Sequence, residues 1–172
     1  MNIASLDIST SVAGIATFNA DKELTLAEYY RFDKSDDYTL NDLASQFDQH
    51  IYPKIKHCNT IAIEEALKGY GRSTSSIAIL IGWNAIVQYK LRENGHDVVP
   101  YHVSTARKLA WGRGRAPKGT DTKTWVLNSA IQEYGEDIID VEYTRYDNIR
   151  QQMYDVGDAI TIGKAYIEEN AK

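Results

Sequence analysis

The amino-acid sequence predicts an α/β domain built on a mixed five-stranded sheet, in which a three-stranded antiparallel meander is extended by parallel strands and flanked by helices. Two observations carry this. Residues 2–18 hold two β-branched apolar runs around the polar cluster Ser9, Thr10 and Ser11, and after a turn at 19–23 residues 24–32 alternate as a third strand. Two further β-rich runs, 60–63 and 97–103, each follow a segment of helical period, the order that makes parallel strands. With 172 residues, 43% of them hydrophobic, the chain suits one compact domain over residues 1–172.

The first run sets Asp7 in mid-strand beside Leu6 and Ile8. Such a carboxylate is either solvated on an open face or kept charged by a cation such as a metal, because an unpaired buried charge is very costly. From Thr39, residues Leu40, Leu43, Phe47 and Ile51 recur at helical spacing until Pro53 closes the segment. The fourth strand ends on Glu64 and Glu65. Residues 69–76 have loop composition, and Ser73 to Ser76 offer N-caps for a long helix that ends before Asn94 and Gly95. Ile77, Leu80, Ile81, Val87 and Leu91 give this helix an apolar stripe with one polar interruption, Asn84, and Ile79, Gly82, Trp83 and Ile86 widen it. A helix apolar on more than one side is buried on both, within the monomer or against a second subunit, and a second subunit is expected here.

Ser104 and Thr105 then cap a short helix through Trp111, and residues 112–119, rich in Gly, Pro and charge, form a mobile loop. Thr120 or Asp121 caps the next helix, which stops at Gly135. Residues 137–150 show no clean period, and a last helix spans 154–170.

Charge and cysteine content narrow the function. The net charge is −5, yet residues 107–123 hold six basic side chains against the single acid Asp121, a local +5 set against −10 elsewhere. Such a stripe fits a docking polyanion or a solvated basic loop. The single cysteine, Cys58, excludes an internal disulfide framework and reads as a small buried hydrophobe. No run approaches the ~18 apolar residues of a membrane span, and the N-terminus enters strand pattern without a basic leader, so a cytoplasmic protein is expected. The four histidines lack zinc-site spacing, and Trp83, Trp111 and Trp125 read as core packing rather than base-stacking platforms.

The last helix carries D-V-G-D-A-I-T-I-G-K-A, in which Asp155 and Asp158 share one helix face. Acids in a first turn also simply offset the helix dipole. Asp7 on the first strand and Glu64 on the fourth change the weights, because those strands can lie side by side under the last helix. Four carboxylates then converge, an all-oxygen set suited to Mg²⁺ or Mn²⁺, and two such ions suit phosphodiester hydrolysis.

Three segments, L-D-I-S-T-S-V-A-G-I-A, I-A-I-E-E-A and D-V-G-D-A-I-T-I-G, occur here in an order and spacing similar to those of the RuvC-type Holliday-junction resolvases, within the ribonuclease-H-like superfamily of nucleases. The resemblance implies that Asp7, Glu64, Asp155 and Asp158 are the metal-binding acids, with Glu65 the lesser candidate. It implies Mg²⁺, with Mn²⁺ able to substitute, and paired nicks in four-way junctions that leave 5′-phosphate and 3′-hydroxyl ends. It also implies a homodimer through the helix around 75–93, in a bacterial or phage-infected cell. Matching Y-H-V-S-T-A-R-K and G-T-D-T-K-T-W to the family's basic positions implies that Arg107 and Lys123 grip the scissile phosphate, with Lys123 catalytic. Tyr70, Arg72, Lys108, Arg113, Arg115 and Lys118 complete the expected DNA-binding set.

Two departures matter. Many relatives carry an aromatic three positions after the glutamate, where this chain has Leu67, and the basic insert 112–119 is longer than in typical bacterial members. Four-way, three-way and other branched DNA therefore all stay open as substrates. The alternatives are a ribonuclease-H-like enzyme acting on structured RNA or RNA/DNA hybrid, a fragment of an actin-like kinase or ATPase, and a catalytically silent junction-binding module. The actin-like proteins share L-D-I-S-T-S but need two such domains, and four intact acids speak against the silent module.

Overall fold

Strands β1 (Ile3–Ile8), β2 (Val12–Phe18) and β3 (Leu24–Arg31) form the antiparallel meander, and β4 (Thr60–Glu64) and β5 (Asp97–Tyr101) run parallel beyond β1, in the order β3-β2-β1-β4-β5. The computed structural model describes residues 2–35, 37–66 and 74–171. The turn after β1 is made by Ser9, whose hydroxyl donates to the Val12 carbonyl at 2.9 Å and accepts from the Val12 amide at 3.0 Å. A serine thus closes the hairpin where the sequence pattern breaks.

Strand alternation assigns every residue of β1 to a layer. Ala4, Leu6 and Ile8 join Ile61 and Ile63 of β4 against the helices on one face, α1 (Leu40–Gln46), α2 (Tyr52–Ile55) and α3 (Thr74–Glu93). Ile3, Ser5 and Asp7 point to the other face. There, α4 (Val103–Trp111), α5 (Thr122–Tyr134), α6 (Glu136–Ile139) and α7 (Gln152–Glu169) complete a three-layer sandwich. Helix α7 is buried from Val156 to Gly163 without a break and crosses both β1 and β2.

Three boundaries differ from those expected of the sequence. Pro53 does not close the first helical segment; a π-helical turn, Phe47–Ile51, precedes it, and Pro53 sits at the start of α2. The wider turn takes up the register at which a residue without an N–H would break α-helical pairing. Neither Ser104 nor Thr105 caps α4. The N-cap is His102, whose Nδ1 accepts from the Ser104 amide at 3.4 Å, because β5 ends at Tyr101 and Val103 already belongs to the helix. Residues 137–150, which show no period in sequence, contain the end of α6 and a small bridge between Tyr143 and Ile149. The predicted cap from Asp121 for α5 and the stop at Gly135 are present.

Trp125 departs from the expected core packing, being half-buried and lining a surface depression, while Trp111 packs partly buried against the core and the other packing expectations agree. Cys58 is buried, and its thiol is pushed up to about 11 by that burial. Trp83 is fully buried against Phe32 and Phe47. His96 is buried and bonds the Cys58 carbonyl at 2.8 Å. No helix among the described residues is long and apolar enough to cross a membrane.

Candidate active site

Asp7 occupies the carboxyl end of β1 because the strand alternates: it takes the α7-facing position two residues after Ser5. Its neighbour on β4 follows from register, since Leu6 pairs with Ile63 and the next step sets Asp7 beside Glu64. On the other side Asp7 pairs with Gly14 of β2. A Cβ at position 14 would lie 2.0 Å from the Asp155 carbonyl oxygen, so only glycine lets the start of α7 lie against the sheet. Asp155 is thereby brought over the end of β1, and Asp158, one turn on, follows it into the same cleft.

This cleft, about 460 Å³, is lined by Asp7, Glu64, Asp155 and Asp158 together with Arg107 and Lys123. The four predicted acids and both predicted phosphate-gripping cations are thus brought together. They are arranged as three pairs. The Asp7 and Glu64 carboxyls share a hydrogen bond, an Arg107 terminal nitrogen donates to Asp158 at 3.1 Å, and Lys123 Nζ donates to Asp155 at 3.5 Å. Among the described residues, no three His, Cys, Asp or Glu side chains form a group that holds a metal as they stand. The expected convergence on one point is therefore a shared cleft rather than a closed cage.

Electrostatics explains the pairing. Burial, then the Glu64 charge, raises the Asp7 carboxyl well above its usual range. Glu64 is also raised, chiefly by burial, while the hydrogen bond from Asp7 works the other way. Asp155 is raised by burial and drawn back by Lys123. Buried carboxyls crowded against each other mark where positive charge is wanted, and the donor set, all carboxylate oxygen, fits a hard divalent cation.

Arg107 is carried on α4 with its guanidinium mostly buried, and its Nε is buried without a partner. Lys123 is exposed in the first turn of α5, which Asp121 caps by accepting from the Thr124 amide at 2.9 Å. Glu65 lines the cleft too, but its side chain is exposed and its amide is bonded to the Tyr101 carbonyl. Lys108, Arg113, Arg115 and Lys118 do not line the cleft; Arg113 lies in a separate depression beside Trp111 and Trp125. Leu67, Tyr70 and Arg72 fall outside the described residues.

Three contributors, Asn84, Trp83 and the Gly14 described above, are absent from the site residues read from sequence. Asn84 on α3 is buried and donates to the Glu64 carbonyl at 2.9 Å, which ties the acid-bearing end of β4 to the opposite layer. The Trp83 indole does the same for the Ser9 carbonyl at 3.2 Å. The signal for Asn84 is its interruption of an apolar stripe, and for Gly14 its place inside a strand.

No family model matches the chain, and no curated protein matches it. Solved structures do. The RuvC of Thermus thermophilus aligns over 99% of this chain and 96% of its own, at a TM-score of 0.66 and 14% identity. Its complex with a Holliday junction substrate aligns at 0.65 and 13%, over 99% and 95%. The resolvase of Fowlpox virus, also solved with Holliday junction DNA, aligns over 100% of both chains at 0.57 and 18%.

The chain has the RuvC-type resolvase fold. The near-complete coverage in both directions means that all five strands and the helices around them take part in the likeness. In the RuvC-type arrangement here, Asp7 and Glu64 stand at the carboxyl ends of adjacent parallel strands, where open α/β sheets present their ligand sites, and α7 brings Asp155 and Asp158 over them.

Proposed function

We propose that this protein is a metal-dependent, structure-selective endonuclease that cuts four-way junctions or related branched DNA. The observation that carries the reading is the joining of four carboxylates and two counter-cations in one cleft of a RuvC-type fold. Asp7, Glu64, Asp155 and Asp158 would hold Mg²⁺, or Mn²⁺ in its place. When bound, such an ion supplies Lewis-acid stabilisation of phosphoryl charge and activation of water, and hydrolysis leaves 5′-phosphate and 3′-hydroxyl ends.

The chain's own residues do the rest. Asp7 and Glu64, crowded against each other at the ends of β1 and β4, would be relieved of their repulsion by the cation they hold. Arg107 and Lys123, now paired to Asp158 and Asp155, turn donors toward the scissile phosphate and oppose the charge that develops there. Arg107, with its flat fork of donors, suits two phosphate oxygens, whereas Lys123 acts as a point charge. The basic side chains Lys108, Arg113, Arg115 and Lys118 extend the positive surface along the DNA.

Cleavage of labelled four-way, three-way and linear DNA with Mg²⁺ or Mn²⁺ tests this. Paired nicks in branched DNA are expected, lost on chelation and reduced at least about a hundredfold in Asp7→Asn. The same substitution retains the fold, since an amide relieves the crowding of carboxylates. Cleavage of RNA or hybrid alone would move the protein to another activity of the superfamily.

The two cuts call for two active sites. Ile79, Ile81 and Tyr89 of α3 are 43%, 39% and 63% exposed, so this helix offers apolar surface on more than one side. A homodimer through α3 would cover part of it and match the two-fold symmetry of a four-way junction. Ile79→Asp is expected to shift the protein from dimer to monomer on gel filtration; a monomeric wild type would remove the dimer from the reading.

A further inference from the structure

The acid cleft has a neighbour. On the other side of the β1–β2 turn a depression of about 850 Å³ is lined by Arg31, Lys34, Gln151 and Gln152, and it shares Ser9 and Asp155 with the acid cleft. The two therefore adjoin along Ser9 and Asp155, on either side of the β1–β2 turn.

Its charge is unlike that of the chain as a whole. The protein carries a net −5, yet among the described residues neither Arg31 nor Lys34 has a carboxylate partner. Lys34 is instead held by neutral oxygens, donating to Thr10 Oγ1 at 3.2 Å and Ser11 Oγ at 3.0 Å, with its ammonium 4.5 Å from the Tyr38 ring centre. Asp33 and Asp155 also line the depression, but Asp155 is already paired to Lys123, which leaves Asp33 against the two cations. A cation fixed at the lip of a turn by neutral oxygens, with no carboxylate partner among the described residues, is arranged to meet an anion rather than to stabilise the fold.

The position gives that anion its identity. A strand that lays one phosphate in the acid cleft must leave it, and Arg107 and Lys123 stand on the α4 and α5 side of the acids. Arg31 and Lys34 stand on the opposite, β3 side. We propose that Arg31 and Lys34, with the side-chain amides of Gln151 and Gln152, form a second phosphate subsite that holds the nucleotides flanking the scissile bond on the cleaved DNA strand. This rests on the nuclease reading and adds to it a direction: the strand crosses the acids from the α5 side toward β3. The four are positioning residues, acting on the phosphates next to the one that reacts.

The test is Arg31→Gln with Lys34→Gln, singly and together. Glutamine keeps a donor for Thr10 and Ser11, and the Arg31 side chain, at the solvent-exposed end of β3, carries no core packing whose loss would unfold the protein. Lys56→Gln, which removes an exposed cation from the end of α2, controls for net charge. Binding of a four-way junction is measured in an Asp7→Asn background across a salt series, and cleavage kinetics in the natural background. Two lost phosphate contacts should make the slope of log K against log salt shallower by about two. Affinity should fall about tenfold or more, with the loss appearing in KM rather than kcat. An unchanged slope and affinity, or an effect no larger than that of Lys56→Gln, overturns the subsite while leaving the nuclease reading intact. A wild type that neither binds nor cuts branched DNA overturns the nuclease reading, and the subsite with it.

Discussion

The two faces of the sheet are built from the same strands to opposite ends. On the face toward α3, β1 and β4 present Ala4, Leu6, Ile8, Ile61 and Ile63, apolar to their last residue. On the face toward α7, the same strands begin apolar with Ile3 and end polar with Asp7 and Glu64. One face ends in packing and the other in a cluster of like charges offset by two cations. Burial on the first face supplies the stability that offsets the crowding of acids on the second.

The largest effect should come from the α3 face. Trp83→Ala removes a fully buried indole packed edge-on against Phe32 and Phe47, and the expected loss is about 3–5 kcal/mol by urea unfolding. A loss under about 1 kcal/mol would break the contrast, since the stabilising face would then not depend on its largest residue. On the α7 face the expected weak point is backbone clearance. Gly14→Ala sets a methyl carbon into the Asp155 carbonyl and should cost about 1–3 kcal/mol, with cleavage falling further than stability because Asp155 moves. Equal activity in that variant would show that α7 shifts without disturbing the acids.

The smallest effect sharpens the comparison by pH. Asp42 on the α3 side caps α1, and bonds from the Thr39 backbone and hydroxyl hold its carboxyl below the usual range. A depressed value in the folded state means that its stabilisation is present above the unfolded value of ~3.9 and is lost as pH falls through the folded one. Urea midpoints of wild type and Asp42→Asn should therefore differ above the unfolded carboxyl value and converge as pH falls below it through the depressed folded value. A difference that persists at low pH would assign the cap to shape rather than charge.

Much of this architecture is legible in the chain. The meander, the parallel strands and the long helices follow from period and β-branching, and the four acids stand out as misfits in apolar runs. What stays hidden is what depends on contacts between distant segments. His102 as a cap requires the knowledge that β5 stops at Tyr101. The π-helical turn before Pro53 has no residue signature, because it arises from keeping Leu43, Phe47 and Ile51 on one core face past a residue without an N–H. The pairing of Arg107 with Asp158 and of Lys123 with Asp155 joins residues 51 and 32 positions apart, and no local pattern encodes it. Arg31 and Lys34 are silent in the sequence for a related reason: they are two ordinary surface cations until the fold sets them at the end of an acid cleft.

Gly14 bears on how far such chains can drift and still be recognised. At 13–18% identity to the solved resolvases almost any position has been free to change. Position 14 is constrained by a neighbouring backbone rather than by a side chain, so no substitution elsewhere in sequence can make room for a larger residue unless α7 itself withdraws. A chain of this architecture with any other residue there should hold its helix farther from the sheet and its acids farther apart. A single missing side chain in the second strand thus serves as a ruler for the width of the cleft, one that can be read from the letters of the chain alone.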